Sequence, residues 1–319
     1  MSGSAPQADV PPAGAPRTFT AVVNPTAGGS ASARTLIPLA RLLREAGATV
    51  QVEYSRGLEH AAALARGAAG AGHVVLGVGG DGMVGCVGGA LAGSGAVLGI
   101  VPAGRGNDFA RQLRLPSGPE ELAELLLHGE PRPVDAIDAN GVPVLGSVYA
   151  GVDALANQYA NETRFLRGAL SYTAGALRAV AGWKAADYIV TVDGVEHRRS
   201  GFTVVVANSG YYGFDRRIAP QAVEDDGLLD VVIVTDGPKR LFFGVMRDLA
   251  DGAHLRRPQV ETLRGREVRI ELAAPGRTLP YGADGELPGV LPVTAKVIPG
   301  ALRVLAPRAS AGRSASSAP

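Results

Sequence analysis

The chain has 319 residues, 46% hydrophobic and 19% charged, with 31 basic residues against 30 acidic ones, which is enough for two cores. A net charge of +1 carries no field that would gather nucleic acid as a bulk polyanion, so any anion is held by a local site. One cysteine, Cys86, excludes an internal disulfide and a cysteine-rich zinc cluster, and five histidines without an H-E-x-x-H pattern do not replace one; the usage fits a cytoplasmic protein. In chain order, residues 1–17 are rich in Ala, Pro, Gly and Ser and read as a disordered leader without the basic head and apolar block of a signal peptide. From 18 to 130, β-rich runs (19–23, 49–53, 73–78, 97–101) alternate with helical patterns (33–46, 58–69, 83–92, 119–127). Apolar strands separated by helices predict an α/β domain whose parallel sheet is covered on both faces, with a ligand crevice at the strand C-termini. The uncharged stretch 82–104 could span a bilayer by length, but it holds eight glycines and Pro102 and reads as a helix plus a buried strand. From 131 to 298, strand-like runs (188–192, 203–207, 229–234, 260–263, 268–272, 293–298) predict a mainly β, sandwich-like second domain, with helices at 163–181 and 239–255. The last strand, about 299–306, is a candidate to return to the first domain. Residues 307–319 read as a disordered tail.

Three glycine-bearing loops follow predicted strands of the first domain: Asn24-Pro25-Thr26-Ala27-Gly28-Gly29, Gly79-Gly80-Asp81-Gly82, and Pro102-Ala103-Gly104-Arg105-Gly106-Asn107-Asp108. Any one of them is also what a tight turn looks like. Together, at one edge of a parallel sheet, they favour a phosphate-bearing ligand, because glycine lets the backbone approach phosphate and a following helix aims free N–H groups at it. There is no G-x-x-x-x-G-K-[ST], and the first 183 residues contain no lysine, which excludes a Walker lysine and a protein-kinase lysine. The formal G-x-G-x-x-G at 77–82 follows the third strand rather than the first, which disfavours a Rossmann dehydrogenase. Asp81 places negative charge inside an anion cradle, which makes physical sense when it meets a cation or takes a proton.

With Gly106-Asn107-Asp108-Phe109-Ala110-Arg111, Gly151-x-Asp153-Ala154 and Asp284-Gly285-Glu286 added in order, the set resembles the soluble bacterial diacylglycerol kinase family, whose catalytic domain is shared with sphingosine and ceramide kinases. The resemblance runs from about residue 18 to 305. It implies the two-domain architecture of NAD kinase and diacylglycerol kinase, an α/β domain with a β sandwich-like one, with ATP and Mg2+ in the cleft. NAD kinase shares G-G-D-G, but the G-N-D-F-A-R run favours lipid kinases. By similarity the nucleotide site comprises Asn24, Pro25, Thr26, Ala27, Gly28, Ser55, Gly79, Gly80, Asp81, Gly82, Met83, Val84 and Gly85, with Gly104, Arg105, Gly106 and Asn107 as a further loop. The resemblance assigns the base to Glu286, a Mg-phosphate role to Asp81, and a catalytic place to Asp284; phosphoryl transfer needs both charge neutralisation and a carboxylate to take the hydroxyl proton.

The segment 219–230 resembles the family's A-P-x-A…D-G-x-L run, which implies a structural magnesium on Asp226 with main-chain oxygens of Val223 and Leu228; an acidic β-turn is the alternative from the residues alone. Met83 and Arg105 stand where the family commonly has hydroxyl residues, and 213–217 replaces a glycine-rich turn. The expected reaction is ATP- and Mg-dependent phosphorylation of a lipid hydroxyl, foremost diacylglycerol to phosphatidic acid. The alternatives are another lipid alcohol or sphingoid base, or a regulator that has lost catalysis. Its expected place is the cytoplasm, at the inner face of the membrane, in transient contact with anionic lipid and without nucleic acid; a homodimer stays open. The cationic, apolar runs 239–247 and 163–181 are candidate membrane-contacting helices, although such stripes also pack against cores.

Overall fold

The computed structural model describes residues 17–25, 30–162, 169–213, 215–274 and 276–308. The expected leader, the tail beyond 308, and the site residues Thr26, Ala27 and Gly28 lie outside the described residues. The first half contains β1 (Thr18–Val23), α1 (Ser30–Glu45), β2 (Thr49–Tyr54), α2 (Leu58–Gly70), β3 (Val74–Gly79), α3 (Asp81–Leu91), β4 (Val97–Pro102), α4 (Asp108–Gln112) and α5 (Pro119–His128). The strands run parallel in the order β4-β3-β1-β2. Every residue of β3 is buried, as a strand covered on both faces requires. Alternation along β1 splits the packing: Phe19, Ala21 and Val23 meet Leu39 and Leu43 of α1 and Leu126 of α5, whereas Val22 meets Ala61 of α2 and Val87 of α3.

The second half contains β5 (Pro131–Ala139), β6 (Val142–Val144), β7 (Ser147–Gly151), α6 (Val152–Glu162), α7 (Ala169–Gly182), β8 (Ala186–Val192), β9 (Val195–Ala207), β10 (Tyr211–Tyr212), β11 (Arg216–Arg217), β12 (Leu229–Thr235), α8 (Lys239–Asp248), a 3-10 turn (Ala253–Arg256), β13 (Val260–Gly265), β14 (Glu267–Leu272), β15 (Pro280–Ala283), β16 (Glu286–Val290) and β17 (Val293–Leu305). Its strands form the antiparallel order β16-β15-β7-β9-β8-β14-β17, with β12 between β9 and β13. The two halves share one mixed sheet. β17 runs antiparallel to β14 through Ala295, then parallel to β4 through Arg303 and Val304, with β5 alongside both parts.

Two helical expectations are corrected. Residues 152–162 form α6, a helix that periodicity missed, and the pattern at 163–181 is described only from α7 onward; residues 163–168 lie outside the described residues. The pattern at 239–255 ends as α8 at Asp248, because Gly252 adopts φ 81° and breaks the helix before the 3-10 turn. The uncharged stretch 82–104 is α3 and β4, and no helix among the described residues is long and apolar enough to cross a membrane.

Candidate active site

β3 and β4 end side by side, Gly79 opposite Pro102, so the loops that follow meet. Their contact requires bare backbone: a Cβ on Gly104 would lie 2.2 Å from the Cα of Gly80. Asn107, at φ 53°, pins the second loop, its Oδ1 accepting from the Gly104 N–H at 2.9 Å and its Nδ2 donating to the Gly104 carbonyl at 3.0 Å. Asp81 opens α3, and its Oδ1 accepts the Phe109 N–H at 3.3 Å. Burial raises the pKa of Asp81, the neighbouring Asp108 carboxylate raises it further, and the N–H groups of Phe109, Asp108 and Asn107 pull against that rise.

The facing wall comes from the second half. Asp284 and Gly285 form the two-residue turn between β15 and β16 with φ 45° and 90°, the left-handed pair that a tight hairpin needs. The turn aims the Asp284 carboxylate back at the start of β7, where it accepts N–H bonds from Leu145 at 2.7 Å and from Gly146 and Ser147 at 2.9 Å each. Burial raises its pKa, the three N–H groups oppose the rise, and the charge of Asp81 adds to it. The two carboxylates therefore sense one another across the gap. A Cβ on Gly146 would sit 2.7 Å from Asp284 Oδ1, so this approach again depends on glycine.

Between the walls lies a cleft of about 190 Å³ whose polar lining includes Asp81, Asp108, Ser147, Asn157, Ser209 and Asp284. Three carboxylates face it, and no Lys, Arg or His is among its described lining residues. Two of the three are already engaged, Asp284 by its three N–H groups and Asp108 by Arg111 Nη1 at 3.1 Å and the Asp215 N–H at 2.9 Å, and the described residues hold no cluster of three metal-ligating side chains; Asp81 is the carboxylate left to meet a hard cation there. Asn157 of α6 donates to the Gly285 carbonyl at 2.6 Å and to Tyr149 Oη at 3.2 Å, fixing the hairpin. Sequence reasoning gave neither Asp108 nor Asn157 a role. Asp108 stood inside a recognised run, whereas Asn157 had no local signal.

The other expected residues separate by position. Gly79 ends β3, Gly80, Gly104 and Gly106 form the apposed loops, and Gly82 and Gly85 lie on α3, Gly85 lining the cleft. Met83 and Val84 are buried in the core under α3, and Arg105 is exposed at its loop tip. Asn24 and Pro25 follow β1, and Ser55 follows β2; Ser55 is buried, and its Oγ has no hydrogen-bond partner among the described residues. Glu286 begins β16, exposed, two residues beyond Asp284 and outside the lining of the cleft. At the expected structural-metal loop, both Asp226 oxygens are engaged: Oδ1 accepts the Leu228 N–H at 3.0 Å and Oδ2 meets Arg264 Nη2 at 2.5 Å. Val223, Asp226 and Leu228 as they stand do not fit a magnesium ion.

A second cavity, about 180 Å³, lies among α6, α7 and α8 and is walled by Ala156, Leu177, Val180, Phe242, Phe243 and Met246. It shares Tyr212 and Gly213 with the cleft. At its inner end buried Asp153 accepts hydrogen bonds from Thr203 Oγ1 at 2.9 Å and Tyr212 Oη at 3.4 Å; burial raises its pKa against the pull of Thr203, Arg216 and Tyr212. Phe242 is buried on Phe202, ring centroids 5.4 Å apart, so within the candidate membrane-contacting run 239–247 this side chain belongs to the core. Phe243 is 48% and Leu177 53% exposed at the cavity mouth.

Two family models cover nearly all of the described chain: the diacylglycerol kinase catalytic domain matches residues 18–139 and the YegS C-terminal NAD kinase beta sandwich-like domain matches residues 146–306. A diacylglycerol kinase of Mycobacterium tuberculosis is 32% identical over 302 residues, spanning 91% of this chain and 95% of that protein. One from Bacillus subtilis is 23% identical over 69% of this chain and 73% of its own length. A crystal structure described as a diacylglycerol kinase of Bacillus anthracis superposes with a TM-score of 0.66 at 19% identity, covering 92% of this chain and 97% of that one; at that identity it speaks for the fold.

Proposed function

Because this chain belongs to the diacylglycerol kinase catalytic-domain family and is a lipid kinase, we propose that it transfers the γ-phosphoryl group of ATP, with Mg2+, to the hydroxyl of a membrane lipid, diacylglycerol foremost, giving phosphatidic acid. The observation that carries this reading is the pair Asp81 and Asp284, one from each half, facing one cleft at the glycine loops. The loops 24–28, 79–85 and 104–107 would hold the nucleotide, their bare backbone approaching its phosphates, with the unpartnered Ser55 Oγ beside the first of them. Asp81 would hold magnesium, which when bound neutralises developing charge on the transferred phosphoryl group. Asp284 already accepts three N–H bonds, so its part is to hold the 145–147 wall in place. Glu286 stands exposed two residues beyond it, and its part would be to take the proton of an acceptor hydroxyl.

The lipid would lie across both cavities, its hydroxyl in the cleft and its hydrocarbon past Tyr212 among α6, α7 and α8. The mouth of the apolar cavity exposes Leu177 and Phe243, with Arg216, Arg217, Lys239 and Arg240 exposed on neighbouring segments. Apolar residues ringed by cations suit an anionic bilayer surface, which supports a peripheral place for the working enzyme at the inner face of the membrane. The test offers labelled ATP with Mg2+ and, side by side, diacylglycerol, sphingosine and ceramide in mixed micelles, and NAD in solution. Labelled phosphatidic acid is expected. Product from another lipid reassigns the acceptor, and no product despite ATP binding overturns the reading in favour of a nucleotide-binding regulator.

A further inference from the structure

The segment from Glu224 to Asp230 carries four carboxylates, Glu224, Asp225, Asp226 and Asp230, at the place where the family resemblance implies a structural magnesium. We propose that in this chain the Arg264 guanidinium takes the place of that ion, so that the loop is clasped without a divalent cation. The strand register dictates the pairing. Asp230 on β12 lies directly opposite Arg264 on β13, and opposite residues of an antiparallel pair present their side chains on one face. From there Arg264 forks, Nε to Asp230 Oδ1 at 3.1 Å and Nη2 to Asp226 Oδ2 at 2.5 Å, a two-pronged reach that a planar guanidinium provides and an ammonium does not. Asp226 spends its other oxygen on the Leu228 N–H.

Arg132 of β5 takes the remaining two, Glu224 at 2.6 Å and Asp225 at 3.3 Å. Each of the four carboxylates thus has a guanidinium within bonding distance. An ion on Asp226 would have to displace the arginine that also neutralises Asp230, which is 1% exposed, and a buried carboxylate stripped of its partner is strongly unfavourable. Magnesium, which gives up water reluctantly, is a weak competitor there. The clasped loop in turn supports the cleft. Glu224 Oε2 accepts from Gln112 Nε2 at 2.6 Å, Gln112 Oε1 accepts the N–H of Gly210 at 3.0 Å, and Gly210 lies between Ser209 and Tyr211 of the cleft lining.

The test uses the full chain, free of nucleotide and lipid, so its outcome is independent of the kinase reading. Thermal unfolding in chelator and in excess MgCl2 is expected to shift wild type and Asp226→Asn equally, since any ion in the cleft registers in both, and equilibrium dialysis with Mn2+ is expected to find no bound ion that Asp226→Asn removes. Arg264→Gln is expected to lower the midpoint by about 3 °C or more. A chelator-induced fall that Asp226→Asn abolishes, an Asp226-dependent Mn2+ site, or an Arg264→Gln midpoint equal to wild type would each overturn the proposal. Should Arg264→Gln not fold, the dialysis of wild type against Asp226→Asn decides alone.

Discussion

Burial and the nearby Asp108 hold the Asp81 carboxyl above its ordinary pKa, so the folded chain binds its proton more tightly than the unfolded chain does. By linkage, stability is greatest below the usual carboxylate range, falls as pH rises through that range to the raised value, and stays lowered at neutrality. Asp81→Asn is therefore expected to raise the unfolding midpoint by about 2 °C at pH 7, with the gain vanishing near pH 3, while phosphoryl transfer drops by about 100-fold or more. Melting curves at the two pH values, run beside the transfer assay, check both halves. Glu286 differs because it is exposed: Glu286→Gln is expected to leave the midpoint unchanged and lower kcat by about 100- to 10,000-fold, read from kcat and KM measured separately. Asp81 was legible in the sequence because an acid inside a glycine cradle contradicts simple anion binding. Asn157 was not, since its partner Gly285 lies 128 residues away and no local pattern encodes that meeting. The arginine-bound state of Asp226 was equally hidden, because it depends on a cross-strand register.

Among elements, the apposed loops after β3 and β4 make the sharpest prediction. Gly104→Ala would drive a methyl into the backbone of Gly80, and backbone cannot swing aside as a side-chain tip can. A loss of about 1–3 kcal/mol is expected, together with weaker ATP binding, measured by denaturant unfolding and nucleotide titration. On α8, two adjacent phenylalanines should behave oppositely. Phe242→Ala is expected to cost about 3–5 kcal/mol, as a large-to-small core change does. Phe243→Ala should stay within about 0.5 kcal/mol of wild type and weaken co-sedimentation with anionic vesicles. The alternating first half was readable because each buried strand is a continuous apolar run and each helix has its own stripe. On α8 the mixture of Lys, Arg and Phe gives no direction for the core until α7 and β9 are in place; Phe202 on β9 is what buries Phe242. The left-handed Gly252 marks where propensity for a longer helix yields to backbone geometry.

At the scale of the molecule, the two-domain reading gave element type and named the last strand, about 299–306, as a candidate to return to the first domain, but not that this segment is the end of one strand that starts at Val293. A change from alternating β-α units to successive strands is visible in sequence, whereas a strand that serves both sheets looks like any other strand. β17 is such a strand, pairing with β14 at one end and β4 at the other while β5 follows it throughout. The carboxylates of Asp81 and Asp284 are thus spaced by hydrogen-bonded ladder rather than by a flexible linker, and a cleft spaced that way is formed before any ligand arrives. The same strand also sets an order of events in the life of the chain. β17 comes after every other described strand and helix, and the pairing edge of β4 waits for it. During synthesis from the N-terminus the glycine loops can form early, yet the sheet beneath them keeps a bare edge until residues near 303 have left the ribosome. Closure across some two hundred residues is slow and leaves that edge open to misplaced strands until β17 arrives, so exposure to aggregation lasts as long as that closure is delayed.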